Sequence, residues 1–249
     1  MCTLVILRRP DHSWPLVVAA NRDEHRARPA REPGRHWPDR PETVAGLDLL
    51  GGGSWLGVND HGLLAAVMNR EGTLGPLEGK RSRGELVLEA LDHAEAEAAA
   101  EALADLHPGA YRPFNVVVAD PRSAYWIRHD GERGIEVHPI VSGLHLLSST
   151  ELDDPAHPRI AAYQARFAAA AVPDPESGDW AEWRALLGSR TGTEAGGAES
   201  AMWLEEREDG FGTRSSALIA VPVYPGFHSH ILWLHAEGRA DSEAFRSVM

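Results

Sequence analysis

The chain has 249 residues, 43% of them hydrophobic, enough to bury a substantial core and consistent with one domain spanning 1–249. Lys and Arg number 24 against 37 Asp and Glu, and the net charge of −13 argues against nucleic acid or an anionic membrane surface, leaving a small molecule as the expected partner. No apolar run approaches the ~18 residues that span a bilayer, so no transmembrane segment is expected. Met1-Cys2-Thr3-Leu4 lacks the basic start and apolar core of a signal peptide, which predicts a cytoplasmic location.

Cys2 is the sole cysteine and directly follows the initiator methionine. Removal of Met1 would give one residue both a thiol and a free α-amine, whose unperturbed pKa of about 7.7–8.0 suits it to accept a proton. The competing explanation is a small buried hydrophobe. Thr3–Leu7 and Leu16–Ala20 are β-branched-rich runs around a turn-prone segment and predict a hairpin. Asn21-Arg22-Asp23-Glu24 would end its second strand, and antiparallel pairing would return that end to the thiol. Arg28–Asp48, rich in Pro, Arg and Gly, reads as a surface loop. A second hairpin follows in Ser54–Val58 and Leu63–Asn69. Ser82-Arg83-Gly84-Glu85 has capping-box spacing and predicts one helix running to about Leu106. Phe114–Ala119, Ser123–Arg128, Gly134–Val137 and Leu144–Ser148 predict an antiparallel meander. Helices are expected over Arg159–Ala171 and Asp179–Leu187, then a flexible loop over Thr191–Ser200. Strands are expected over Ser216–Val221 and His230–His235. The order of elements predicts an α+β layered fold rather than alternating βαβ units.

Strand alternation places Asn21 and Asp23 on one face and Arg22 on the other. Asp23 is the carboxylate expected to hold the α-ammonium; the plainer explanation is a solvated strand end with ion pairs worth about 0–1 kcal/mol. Asn69 closes a strand, where its carboxamide could donate to a developing oxyanion, a contribution of about 2.7–4 kcal/mol, or simply start a turn. Arg214, in Gly212-Thr213-Arg214-Ser215, offers a charged donor fork to a carboxylate-bearing substrate or to a partner in the core. Arg22 or Arg214, with a nearby ammonium, would favour the thiolate of Cys2. Gly51-Gly52-Gly53 precedes no Gly-Lys-Ser/Thr and a strand follows it, which disfavours a phosphate cradle. The thirteen histidines show no metal-binding spacing, and His228, His230 and His235 read as chance neighbours, so neither a metal nor a cofactor is expected.

Taken in order, Met1-Cys2-Thr3, Ala20-Asn21-Arg22-Asp23-Glu24, Trp55-Leu56-Gly57-Val58-Asn59, Asn69, Ser82-Arg83-Gly84 and Gly212-Thr213-Arg214-Ser215-Ser216 resemble the NRDE family, also called the Transport and Golgi organisation protein 2 family. That family is similar to the N-terminal-nucleophile hydrolases of the choloylglycine hydrolase and penicillin acylase kind. The resemblance implies a four-layer αββα sandwich of mainly antiparallel sheets, with Cys2 as nucleophile, Asp23 as partner of its amine and Asn69 as oxyanion donor. It implies cleavage of a small amide through a thioester or, alternatively, a non-enzymatic binder or trafficking protein for haem or an acylated metabolite. Where relatives carry Leu-Ser-Asn-Ser, this chain has Leu147-Ser148-Ser149-Thr150, so a second carboxamide on the oxyanion side is not expected.

Overall fold

A computed structural model describes residues 2–193, 196–223, 230–241 and 244–249. The chain folds into two compact units, each assembled from separated segments: one from residues 1–27, 142–220 and 231–249, the other from residues 28–141 and 221–230. His228 and part of the loop expected over Thr191–Ser200 lie outside the described residues.

The first unit contains β1 (Thr3–Arg8), β2 (Leu16–His25), β10 (Gly143–Leu147), β11 (Phe211–Val221), β12 (Leu232–Glu237) and β13 (Arg246–Ser247), ordered β10-β1-β2-β11-β12-β13 in one sheet. The hairpin of β1 and β2 forms as expected, with Thr3 opposite Asn21. The tetrad closes the strand as expected, to within one residue: β2 runs to His25 beside β11, which is itself longer than predicted. Both faces of this hairpin are buried, which accounts for the unbroken apolar runs. Val5, Leu7, Val17 and Ala19 meet Ile160, Tyr163 and Phe167 of α3 (Pro158–Ala169) and Trp183 and Leu187 of α4 (Ala181–Leu187). Thr3, Asn21 and Asp23 share the parity of those residues and so point toward the helical side.

The second unit holds a seven-stranded sheet whose order follows the sequence: β3 (Ala30–Gly34), β4 (Thr43–Asp48), β5 (Leu56–Asn59), β6 (Leu64–Asn69), β7 (Phe114–Ala119), β8 (Ala124–His129) and β9 (Ile135–Pro139). The Pro- and Arg-rich segment expected to be a loop contains β3 and β4. Its period is hidden because β3 lies at the edge and its register shifts between Arg31 and Gly34. The meander breaks after β9, since β10 pairs with β1 instead. The single long helix is two, α1 (Gly84–Leu91) and α2 (Ala96–Ala104). The amide of Asn59 donates to the carbonyls of Leu91 (3.0 Å) and His93 (2.7 Å), capturing the end of α1, while the Asp120 carboxylate accepts the first N–H of α2 at 2.8 Å. The expected capping box does not close: the Ser82 hydroxyl accepts from Gly84 N at 3.3 Å rather than from Glu85 N, and the Glu85 carboxylate accepts from Arg81.

The Gly51–Gly53 segment serves packing. A Cβ on Gly53 would lie 2.3 Å from the carbonyl carbon of Gly84, and the Ser54 N–H donates to Gly84 O at 3.0 Å. Gly53→Ala is therefore expected to cost about 1–3 kcal/mol, read as a lower urea midpoint at unchanged slope.

His157, at the N-cap of α3, is 5% exposed, and neither ring nitrogen has a hydrogen-bond partner among the described residues. Burial, reinforced by the charge of Arg159, pushes its pKa down from 6.5 to about 4. The unfolded chain therefore binds this proton first as pH falls. Stability from this residue is complete above pH 6.5 and is lost progressively down to about pH 4. His157→Leu is expected to remove about 2–3 kcal/mol of that acid-side loss, measured as the difference between wild-type and variant urea stabilities across this window.

Candidate functional site

Cys2 sits just ahead of β1, half-buried. Its thiol donates to the backbone carbonyl of Asp23 at 3.8 Å, and the Ser148 hydroxyl donates to the Cys2 carbonyl at 2.9 Å. The proximity of thiol and tetrad foreseen from antiparallel pairing is present, through the backbone of Asp23. Burial pushes the thiol pKa up; the positive charge of the chain terminus is the largest opposing influence, Asp23 adds to the rise, and the hydrogen bond to Asp23 O and the charge of Arg22 also lower it without prevailing. The charges of the chain terminus and of Arg22 favour the thiolate as expected, and in the chain that carries Met1 desolvation outweighs them.

The Asp23 carboxylate is buried and faces the helices. Its Oδ2 accepts from Arg159 Nη1 at 2.9 Å, and its Oδ1 accepts from the Thr213 hydroxyl at 2.7 Å. The same Arg159 nitrogen also donates to the Thr3 hydroxyl. Arg159 and Asp23 have side-chain exposures of 1% and 0%, so this is a fully desolvated ion pair rather than a solvated strand end. Thr213 is anchored in turn: its N–H donates to Leu204 O at 3.0 Å, and its hydroxyl accepts from Leu204 N at 2.8 Å.

Asn21 spends its polar atoms on the protein. It donates to Leu187 O and Met202 O, both at 2.9 Å, and accepts from the Ser216 hydroxyl at 2.6 Å. Arg214 donates to Glu24 O at 3.0 Å, Gly210 O at 2.9 Å and the Glu206 carboxylate at 2.8 Å. The two sequence motifs are therefore one device: Ser216 meets Asn21, Thr213 meets Asp23 and Arg214 meets Glu24, side by side on neighbouring strands β11 and β2. Arg22 is 9% exposed and takes the opposite parity from Asp23. Asn69 closes β6 as expected, partly exposed, in the second unit.

Sequence reasoning missed Arg159, Thr213 and Ser148. Arg159 interrupts the otherwise apolar stretch Ile160, Ala162 and Tyr163 at a helix start, a signal that a charge there must have a buried partner. Thr213 lay inside a recognised motif, overshadowed by its charged neighbour Arg214. Ser148 carried no signal beyond ending a strand.

Among solved structures, the chain is similar to the Caenorhabditis elegans ortholog of N-acylethanolamine-hydrolyzing acid amidase, with TM-score 0.51 and 13% identity over 90% of this chain and 94% of that one. It is also similar to a mutant conjugated bile acid hydrolase from Clostridium perfringens, with TM-score 0.52 and 10% identity over 100% of this chain and 97% of that one. At such identities the likeness shows the fold: α+β with two mainly antiparallel sheets, the αββα sandwich of the N-terminal-nucleophile hydrolases. Among sequences, the Transport and Golgi organization protein 2 homologs of Bos taurus and Homo sapiens are 36% and 35% identical over 155 and 153 residues, in each case 58% of this chain and 54% of the relative. The match thus spans about half the length of these relatives. The family model described as Transport and Golgi organisation 2 matches residues 1–223, and the chain belongs to that family.

Proposed function

We propose that the protein is an N-terminal-cysteine amidohydrolase acting on a small amide. The observation that carries this reading is the placement of Cys2 at the mouth of β1, its thiol against Asp23 of the adjoining strand and its carbonyl held by Ser148. Processing at Met1 would place a free amine on the same residue as the thiol. In the proposed reaction the thiol gives its proton to that amine and the sulfur attacks the amide carbon. The C–N bond breaks as the leaving nitrogen takes the proton, and water then hydrolyses the thioester. Because burial raises the thiol pKa, an adjacent base is what makes such a thiol competent near neutral pH. Asp23, fixed by Arg159 and Thr213, supplies the negative charge that holds the ammonium form of the amine. By family resemblance Asn69 is the oxyanion donor.

The family resemblance leaves a second reading, a binder or trafficking protein for haem or an acylated metabolite that keeps the fold without the chemistry. Incubation with a reactive acyl donor separates the two. The hydrolase reading expects processed protein to gain one acyl mass on Cys2, and Cys2→Ala to gain none. A processed wild type that forms no acyl-enzyme yet binds hemin with defined stoichiometry would end the hydrolase reading.

Proton transfer to the amine predicts that iodoacetamide alkylates Cys2 faster at pH 7 in processed protein than in protein retaining Met1. Equal rates would dispose of the amine as base.

The buried pair makes a stability prediction of its own. Arg159→Met is expected to cost about 3–5 kcal/mol, because it leaves the Asp23 carboxylate desolvated without its counter-charge. Adding Asp23→Leu should recover part of that loss. Urea denaturation of the two single variants and the double variant measures the coupling, and strict additivity would contradict it.

A further inference from the structure

We infer that Ser148 is a positioning residue that aims the thiol and α-amine of Cys2, and that Asp153 holds the loop that carries it. The inference rests on the reading of Cys2 as a nucleophile activated by its own amine.

Cys2 lies outside the strand ladder, which begins with Thr3. A residue at a chain end has no preceding peptide to fix its orientation. Rotation about the Thr3 N–Cα bond would swing the whole Cys2–Thr3 peptide plane and carry the amine and the sulfur with it relative to the sheet. The bond from the Ser148 hydroxyl to the Cys2 carbonyl, 2.9 Å long, restrains that rotation, and Ser148 itself is fully buried.

Ser148 is the first residue after β10, in a segment that turns back on itself at Asp153. The Asp153 N–H donates to Leu146 O at 2.8 Å, and its Oδ1 accepts from Leu146 N at 2.8 Å, so one residue occupies both backbone groups of Leu146. Oδ1 also accepts from Gln164 of α3 at 3.0 Å, and Oδ2 lies 2.6 Å from His145 Nδ1. Asp153 has φ 56°, the one positive value at a non-glycine residue among the described residues. Such a conformation persists where surrounding contacts over-determine it, and it recurs where geometry serves function. Four contacts on one residue provide that over-determination. Asp153 thereby ties the end of β10 to the helix that delivers Arg159 to Asp23.

The test is the rate of iodoacetamide alkylation of Cys2 as a function of pH in processed protein. Orientation matters while the amine must take the thiol proton, and ceases to matter on the high-pH plateau, where the thiol is already ionised. Ser148→Ala is expected to react about tenfold more slowly than wild type at pH 7, the loss of roughly one hydrogen bond, and to reach the wild-type plateau. Ser148→Thr should restore the rate at pH 7. Asp153→Gly, which accepts the left-handed backbone but lacks the carboxylate, should reproduce the loss seen in Ser148→Ala, and it serves as the second variant if Ser148→Ala does not fold. Equal rates for wild type and both variants at pH 7, or an equal loss at pH 7 and on the plateau, would overturn the inference. Protein retaining Met1 is the control for the underlying reading. If it alkylates like processed wild type, the amine has no role and the inference falls with that reading; if it is slow while the variants are not, the inference alone falls.

Discussion

The ion pair between Asp23 and Arg159 is the constraint on which the first unit depends. Desolvating two charges costs several kcal/mol each, and only close geometry with further hydrogen bonds offsets that cost. The fold supplies both: Thr213 takes the other carboxylate oxygen, and Thr3 takes the other side of the Arg159 nitrogen. The first strand, the second strand, the eleventh strand and the third helix are therefore stitched at one buried point. A pair retained under a helix at that cost is better understood as fixing a geometry than as adding stability.

That arrangement changes the meaning of the charged tetrad. Its four residues are distributed by strand alternation: Asn21 and Asp23 are committed to the helical side, Arg22 takes the other face, and Glu24 contributes its carbonyl to Arg214. The sequence motif near the end of the chain is the counterpart of the tetrad, supplying one partner after another along the neighbouring strand. Each motif taken separately looks like a polar strand end. Together they are a single buried polar seam in which every side-chain bond described has a defined donor and acceptor.

Much of this was legible in the residues. The apolar runs around Pro10–Pro15 announced the first hairpin, and antiparallel pairing placed the tetrad beside Cys2 without any structure. The α+β class followed from the order of elements. What was not legible depended on long-range partners. The eleventh strand begins at Phe211 rather than at Ser216 because β2 supplies a neighbour that local propensity cannot reveal. The long helix was divided by Asn59 and Asp120, two polar side chains far from it in sequence. Arg159 was hidden because a lone arginine at a helix start usually faces water. The desolvation of the thiol was hidden for a related reason: charge is visible in a sequence, whereas burial is a property of the assembled fold.

The seam between β2 and β11 also has a consequence in time. The carboxylate of Asp23 and the hydroxyl that completes its shell are separated by 190 positions. Contacts of that sequence separation form late, because loop closure must be met before they stabilise anything. During synthesis Cys2 and Asp23 therefore leave the ribosome at least 190 residues ahead of Thr213. The segment around Cys2 is thus made and accessible to the processing that the proposed chemistry requires before the hydroxyl of Thr213 arrives to complete the shell of Asp23.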